Sequence, residues 1–191
     1  MSAPARATGG RGARERIERA AARLFYRNGI HATGVELIAR EANVSKRTLY
    51  AHFASKNDLV DAYLRGFEEG GLPAERRLND TTLPARDRLL GIFEMPGRDV
   101  LRGCPFHNAA VESAGSLASA DDIVRAHKLR FTGRLVALAS EAGAADPQLL
   151  GRQLAVLFEG ATAMATSLND TAPAAHARAA AATLIDAALN P

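Results

Sequence analysis

Within two helical turns, Ser45-Lys46-Arg47-Thr48-Leu49-Tyr50-Ala51-His52 places a basic pair, two hydroxyls, a phenol and an imidazole, and Lys56 follows four residues later. Such a set suits a polyanion. Lys and Arg neutralise phosphates or read guanine in the major groove, while hydroxyls and phenols bond phosphate oxygens. A basic pair at the amino end of a helix gains further because the helix dipole attracts the same anions. Most charged helix faces are merely solvated, so the frame around the pair decides its meaning.

That frame reads as two short helices joined by a tight turn. Thr33 is expected to cap the first, with Glu36 three residues on completing a capping box. Val35, Ile38, Ala39 and Ala42 recur at helical spacing and predict one apolar stripe. The turn is Ala42-Asn43-Val44, and Asn enters the left-handed region at little steric cost. Ser45 is the expected cap of the second helix, whose Leu49 and Phe53 should face inward and leave Lys46, Arg47, Thr48, Tyr50 and His52 turned outward. Ser55 and Asp58 predict another cap, with Lys56 in the first turn behind it. A lysine there opposes the helix dipole and makes better sense as a phosphate clamp. Two helices and a turn in this arrangement are a helix-turn-helix reading head.

Around it, residues 12–64 carry Ala21-Ala22-Arg23-Leu24-Phe25, Gly29-Ile30, Val35-Glu36-Leu37-Ile38-Ala39 and Thr48-Leu49-Tyr50-Ala51-His52-Phe53. This block resembles the DNA-binding head of the tetracycline-repressor (TetR) family. The resemblance implies an all-α homodimer in which a three-helix head precedes a larger carboxy-terminal domain that binds a small-molecule effector and releases a palindromic operator. It implies phosphate contacts for Thr33, Thr48, Tyr50 and Lys56, and base-edge contacts for Lys46 and Arg47. Ser45 and His52 complete the expected DNA-binding set. Asn43 stands where members often have Gly, and Arg47 where many have a small residue, so the base preference is this chain's own. The segment from Gly103 to Glu112 also resembles one branch of the same family.

Charge is divided in the same sense. Residues 1–60 hold 11 Lys or Arg against 5 Asp or Glu, a net of +6, whereas residues 61–191 hold 13 against 16, a net of −3. The polyanion partner therefore belongs to the amino-terminal end. One Cys excludes an intramolecular disulfide and fits a reducing cytoplasm. The first ten residues lack the apolar run of a signal peptide, and no later stretch is long and uncharged enough to span a bilayer, so a cytoplasmic protein is expected. No Ser-His-Asp order, paired catalytic carboxylates or phosphate loop is visible, which argues against an enzyme. No cofactor is called for.

The expected organisation is a flexible arm over 1–10, the head over 11–56 and a ligand-binding and dimerisation domain over 57–191, with about nine helices in all. Helix one should cover 11–28, burying Ile17, Ala20, Ala21, Leu24 and Phe25 and stopping at Gly29. A fourth helix should reach Gly70-Gly71 and suits the transmission of a signal. Residues 72–83 read as a polar connection, Pro84 as the first turn of a fifth helix ended by Pro96-Gly97, and later helices over 108–117, 120–142, from Asp146-Pro147 and from Thr171-Ala172-Pro173. The last two carry small-residue stripes suited to a four-helix contact with a twin subunit. Candidate effector contacts are Phe67, Phe93, Met95, Cys104, Phe106, His107, Val111, Phe131, Leu135 and Phe158. Cys104 and His107 are too few for a structural zinc site, but oxidation of Cys104, or a protein partner, is an alternative to a small effector as the control of DNA binding.

Overall fold

The computed structural model describes residues 12–95, 102–113, 115 and 117–190. Among these residues the fold is all-helical, with ten helices and no strand. The expected arm and the Pro96-Gly97 stop lie outside the described residues.

Helix α1 (Ala13–Asn28) buries Ile17, Ala20, Ala21 and Phe25 and ends at Gly29, whose N–H donates to the Phe25 carbonyl. Gly29 stops the helix at φ 95°, ψ 159°, a conformation closed to residues with a Cβ. Helices α2 (Val35–Glu41) and α3 (Lys46–His52) follow. Between them Asn43 takes φ 52°, so the left-handed turn falls where the sequence placed it. Helix α4 (Lys56–Gly70) opens with a reciprocal cap: Asp58 N–H donates to Ser55 Oγ at 3.1 Å, and Ser55 N–H to Asp58 Oδ2 at 3.0 Å.

The connection expected over 72–83 contains an additional helix, α5 (Pro73–Leu78). Glu75 stabilises its start by accepting the Leu72 N–H at 2.9 Å, and Ala74 and Leu78 become buried. Pro84 is the cap of α6 (Ala85–Gly91) instead of lying inside its first turn, and Ile92 and Phe93 lie just beyond that helix, still buried. Helix α7 (Pro105–Ser113) begins and ends earlier than expected, while α8 (Ala118–Glu141), α9 (Pro147–Leu168) and α10 (Ala172–Leu189) lie close to their predicted ranges. Asp146 caps α9, accepting the Leu149 N–H at 2.9 Å.

The chain forms two compact units. The first runs to Phe67 and takes in Pro105–Val124, so it is larger than the 11–56 stretch expected for the head; the second holds Glu68–Cys104 and the residues from Arg125 onward. The second is built on one apolar core that includes Leu89, Phe93, Phe131, Leu135, Leu154, Ala181 and Ile185. In this unit α8 and α9 cross at the limit of backbone contact. A Cβ on Gly151 would lie 2.7 Å from both the Cα and the N of Val136.

Candidate nucleic-acid interface

The head is assembled on α1. Ile38 and Leu49 are fully buried and Phe53 nearly so, which leaves the opposite side of α3 to solvent. Arg16 Nε reaches from α1 to the Ala42 carbonyl at 3.1 Å, where α2 ends. Arg14 stacks its guanidinium 4.6 Å from the centre of the Phe53 ring, and Arg23 pairs with Glu41. The two short helices, marginal alone, thus owe their placement to neighbours.

Ser45 caps α3 as expected: its Oγ accepts the Thr48 N–H at 2.9 Å and lies 2.8 Å from Thr48 Oγ1. Arg47, Tyr50 and His52 are exposed, Tyr50 to 43%. Arg47 makes no ion pair among the described residues, leaving its guanidinium available. Lys46, also exposed, is paired with Glu36 of α2, and this contact lowers the Glu36 pKa and raises that of Lys46. Lys56 is half-buried; burial lowers its pKa, and the charge of Glu112 partly opposes that shift.

Thr33 differs from expectation. It is completely buried, and its hydroxyl donates to the Gly29 carbonyl at 2.7 Å, with Leu24 O at 3.3 Å. Gly34 is the N-cap of α2, without a side-chain cap, so no capping box joins Thr33 to Glu36. Glu36 is turned to Lys46 instead. Thr33 braces the end of α1, and no exposed hydroxyl remains there for the phosphate contact implied by the resemblance.

The ten candidate effector contacts are divided between the units. Phe67, Phe106, His107 and Val111 belong to the first. Phe67 packs against Tyr63 and Tyr26 at ring separations of 5.3 and 6.2 Å, Phe106 is fully buried, and His107 and Val111 are exposed. In the second, Phe158 joins Phe131 at 5.2 Å and Phe93 at 6.2 Å, beside the fully buried Leu135, and Met95 is half-buried. Cys104 is buried, with Lys128 Nζ 3.5 Å from its sulfur, and Lys128 also pairs with Glu159. His127 stacks on Phe131; burial, aided by the charge of Lys128, lowers its pKa to about 4 and keeps the ring neutral at neutral pH. The described residues contain no group of three or more His, Cys, Asp or Glu able to hold a metal ion, and no helix among them is long and apolar enough to cross a membrane.

A groove of about 570 Å³ lies along α9 and α10, lined by Val156, Gly160, Met164, Leu168, His176 and Ala180 among others. None of the ten candidates lines it. Val156, Met164 and Leu168 are 72%, 56% and 62% exposed and, with Leu149, form a stripe along α9 at helical spacing. Sequence reading marked the small residues of these helices but not this exposed stripe, nor Lys128, Glu159 and Glu112.

Residues 17–63 match the sequence profile of the family described as "Bacterial regulatory proteins, tetR family". The transcriptional repressor KstR2 of Mycobacterium tuberculosis is 42% identical over 79 residues, which cover 41% of this chain and 39% of that protein. The transcriptional activator FasR of Mycolicibacterium smegmatis is 39% identical over 75 residues, 39% of this chain and 34% of its own. The chain thus spans about two fifths or less of the length of these curated relatives. Likeness to solved structures extends further. Sav143 of Streptomyces avermitilis, described as a candidate tetR-transcriptional regulator, superposes with a TM-score of 0.81 at 32% identity, covering 92% of this chain and 97% of that one. SCO4454, a TetR-family transcriptional regulator of Streptomyces coelicolor, gives 0.79 at 29% identity, over 93% and 90%.

Proposed function

The chain belongs to the tetR family of bacterial regulatory proteins, and from that membership we propose that it is a homodimeric, sequence-specific DNA-binding transcriptional regulator released from a palindromic operator by a small-molecule effector. The observation that carries the DNA reading is the Ser45-capped helix α3, which holds Lys46, Arg47 and Tyr50 on its exposed side while Leu49 and Phe53 anchor the other. A helix presented in this way enters a major groove. In this reading Arg47 and Lys46 lie nearest the base edges, and Thr48, Tyr50 and Lys56 secure the phosphates on either side. Ser45 acts through its cap and His52 lies at the rim.

The second subunit docks on α9 and α10, a proposal supported by the exposed stripe of Leu149, Val156, Met164 and Leu168. Two heads then meet an operator with two half-sites. The effector site is assigned to the body, where the rings of Phe93, Phe131 and Phe158 lie in the same unit as the polar group of Cys104, Lys128 and Glu159. An effector releases DNA only to the extent that it binds the two head spacings with different affinity. Repression and activation are both found among the relatives, in KstR2 and FasR; repression is our reading for this chain.

Selection of bound duplexes from a random library at moderate and high salt tests the function. Recovery of an inverted repeat is the expected result. Salt-sensitive binding with no recovered motif would refute a sequence-specific reading head.

A further inference from the structure

Helix α7 brings one residue against the reading head, and that residue is out of place by the rules of an isolated helix. Glu112 lies one position before the end of α7, where the dipole disfavours a negative charge, and no basic residue occupies the last turn. Its identity is explained by what it touches. Glu112 Oε2 accepts the His31 backbone N–H at 3.0 Å. The Glu112 backbone carbonyl is itself hydrogen-bonded to His31 Nε2. The carboxylate also covers Gly29: a Cβ there would sit 3.0 and 3.1 Å from its two oxygens. One residue, 81 positions from His31, therefore grips the α1–α2 junction by side chain and backbone together.

Given that the head binds DNA, as proposed above, we infer that Glu112 is a positioning residue for DNA recognition: it sets the junction from which α2 and α3 lead to the basic pair. Loss of the grip misplaces α3 and weakens binding to the correct site. Glu112 thereby serves discrimination between sequences.

The full chain is titrated with a fluorescent duplex carrying the selected repeat and with a scrambled duplex of equal length, and exchange of the His31 amide is followed in parallel. Glu112→Ala is expected to weaken operator binding about tenfold, the scale of losing a hydrogen bond to a charged group, without weakening binding to the scrambled duplex. The same variant speeds exchange at His31 by about as much. Glu112→Gln keeps an acceptor for His31 and is expected to restore both operator binding and slow exchange at His31, with affinity for the scrambled duplex unchanged. Equal losses on both duplexes for Glu112→Ala, or unchanged binding and exchange, would overturn the assignment. If the wild-type chain prefers neither duplex, the DNA reading itself fails, and the exchange rate alone then decides on the grip: faster exchange upholds it and an unchanged rate overturns it.

Discussion

Replacing Lys56 by Ala should make DNA binding less sensitive to salt by a calculable amount. Each head offers three cations on α3 and the start of α4: Lys46, Arg47 and Lys56. A homodimer doubles the set. Each cation that displaces condensed counterions from duplex DNA, whether at a phosphate or in the groove, steepens the slope of log affinity against log salt by about 0.9, so six give a wild-type slope of about −5. Binding then weakens on the order of a thousandfold between about 50 and 200 mM salt. The Lys46–Glu36 pair does not remove Lys46 from this count, because both groups are exposed and water-screened and the pair is easily opened. Lys56→Ala deletes one cation per head and should flatten the slope by about 2, with equal loss of affinity on operator and unrelated DNA at low salt. Lys56→Arg should leave the slope intact. Anisotropy titrations of a labelled duplex across that salt range measure both quantities. An unchanged slope in Lys56→Ala would refute the phosphate contact, and a wild-type slope near zero would refute the electrostatic account of the whole head.

Three further outcomes follow from the body. Gly151→Ala should destabilise it: the overpacking cost reaches about 3 kcal/mol, offset by about 1 kcal/mol of helix propensity, so thermal unfolding should fall by about 4–8 °C; Gly133→Ala, where a Cβ meets nothing within 4 Å, should not lower it. His127, neutral when folded because its pKa falls from 6.5 to about 4, takes up a proton on unfolding between those values. Stability should therefore drop by up to about 1.4 kcal/mol per pH unit as pH falls through that window, a dependence that denaturant titrations should find reduced in His127→Leu. If the chain pairs through the α9 stripe as proposed, Val156→Asp combined with Met164→Asp should sediment as a monomer where the unaltered chain sediments as a dimer, and should bind operator more weakly; a dimer that survives both changes would exclude the α9 stripe as the contact.

How far the sequence could be read depended on whether the deciding partner was local. Ser45 with Thr48, Ser55 with Asp58, Asp146 with Leu149 and the left-handed Asn43 all involve groups within a few residues, and each falls where residue type and spacing put it. Thr33 was misread because a hydroxyl before a helix has two outlets: the following amides, or a carbonyl brought near by tertiary packing. The turn after α1 brings the Gly29 carbonyl within 2.7 Å, and that contact prevails. Helix α5 was missed because six residues are too few to show a period. The aromatic candidates were legible as buried or half-buried rings, but nothing in Phe67 and Phe158 tells that they fall in different compact units. Glu112 left no local signal beyond an acid at the wrong end of a helix.

Ten of the eighteen residues of α10 are alanine, and an alanine has no rotamers to freeze. Burying these ten side chains therefore costs almost no side-chain entropy, unlike a surface of lysines, glutamates or methionines, each of which surrenders on the order of 1.5–2 kcal/mol when held still. A second copy docked on it meets a surface that is already ordered. Recognition at these alanines then depends on contour, since methyl groups bring backbones close and offer neither charge nor hydrogen bond to correct a poor fit, and the polar groups lining the groove beside them are Asp170 and His176. Such a face suits the proposed twin through matching shape.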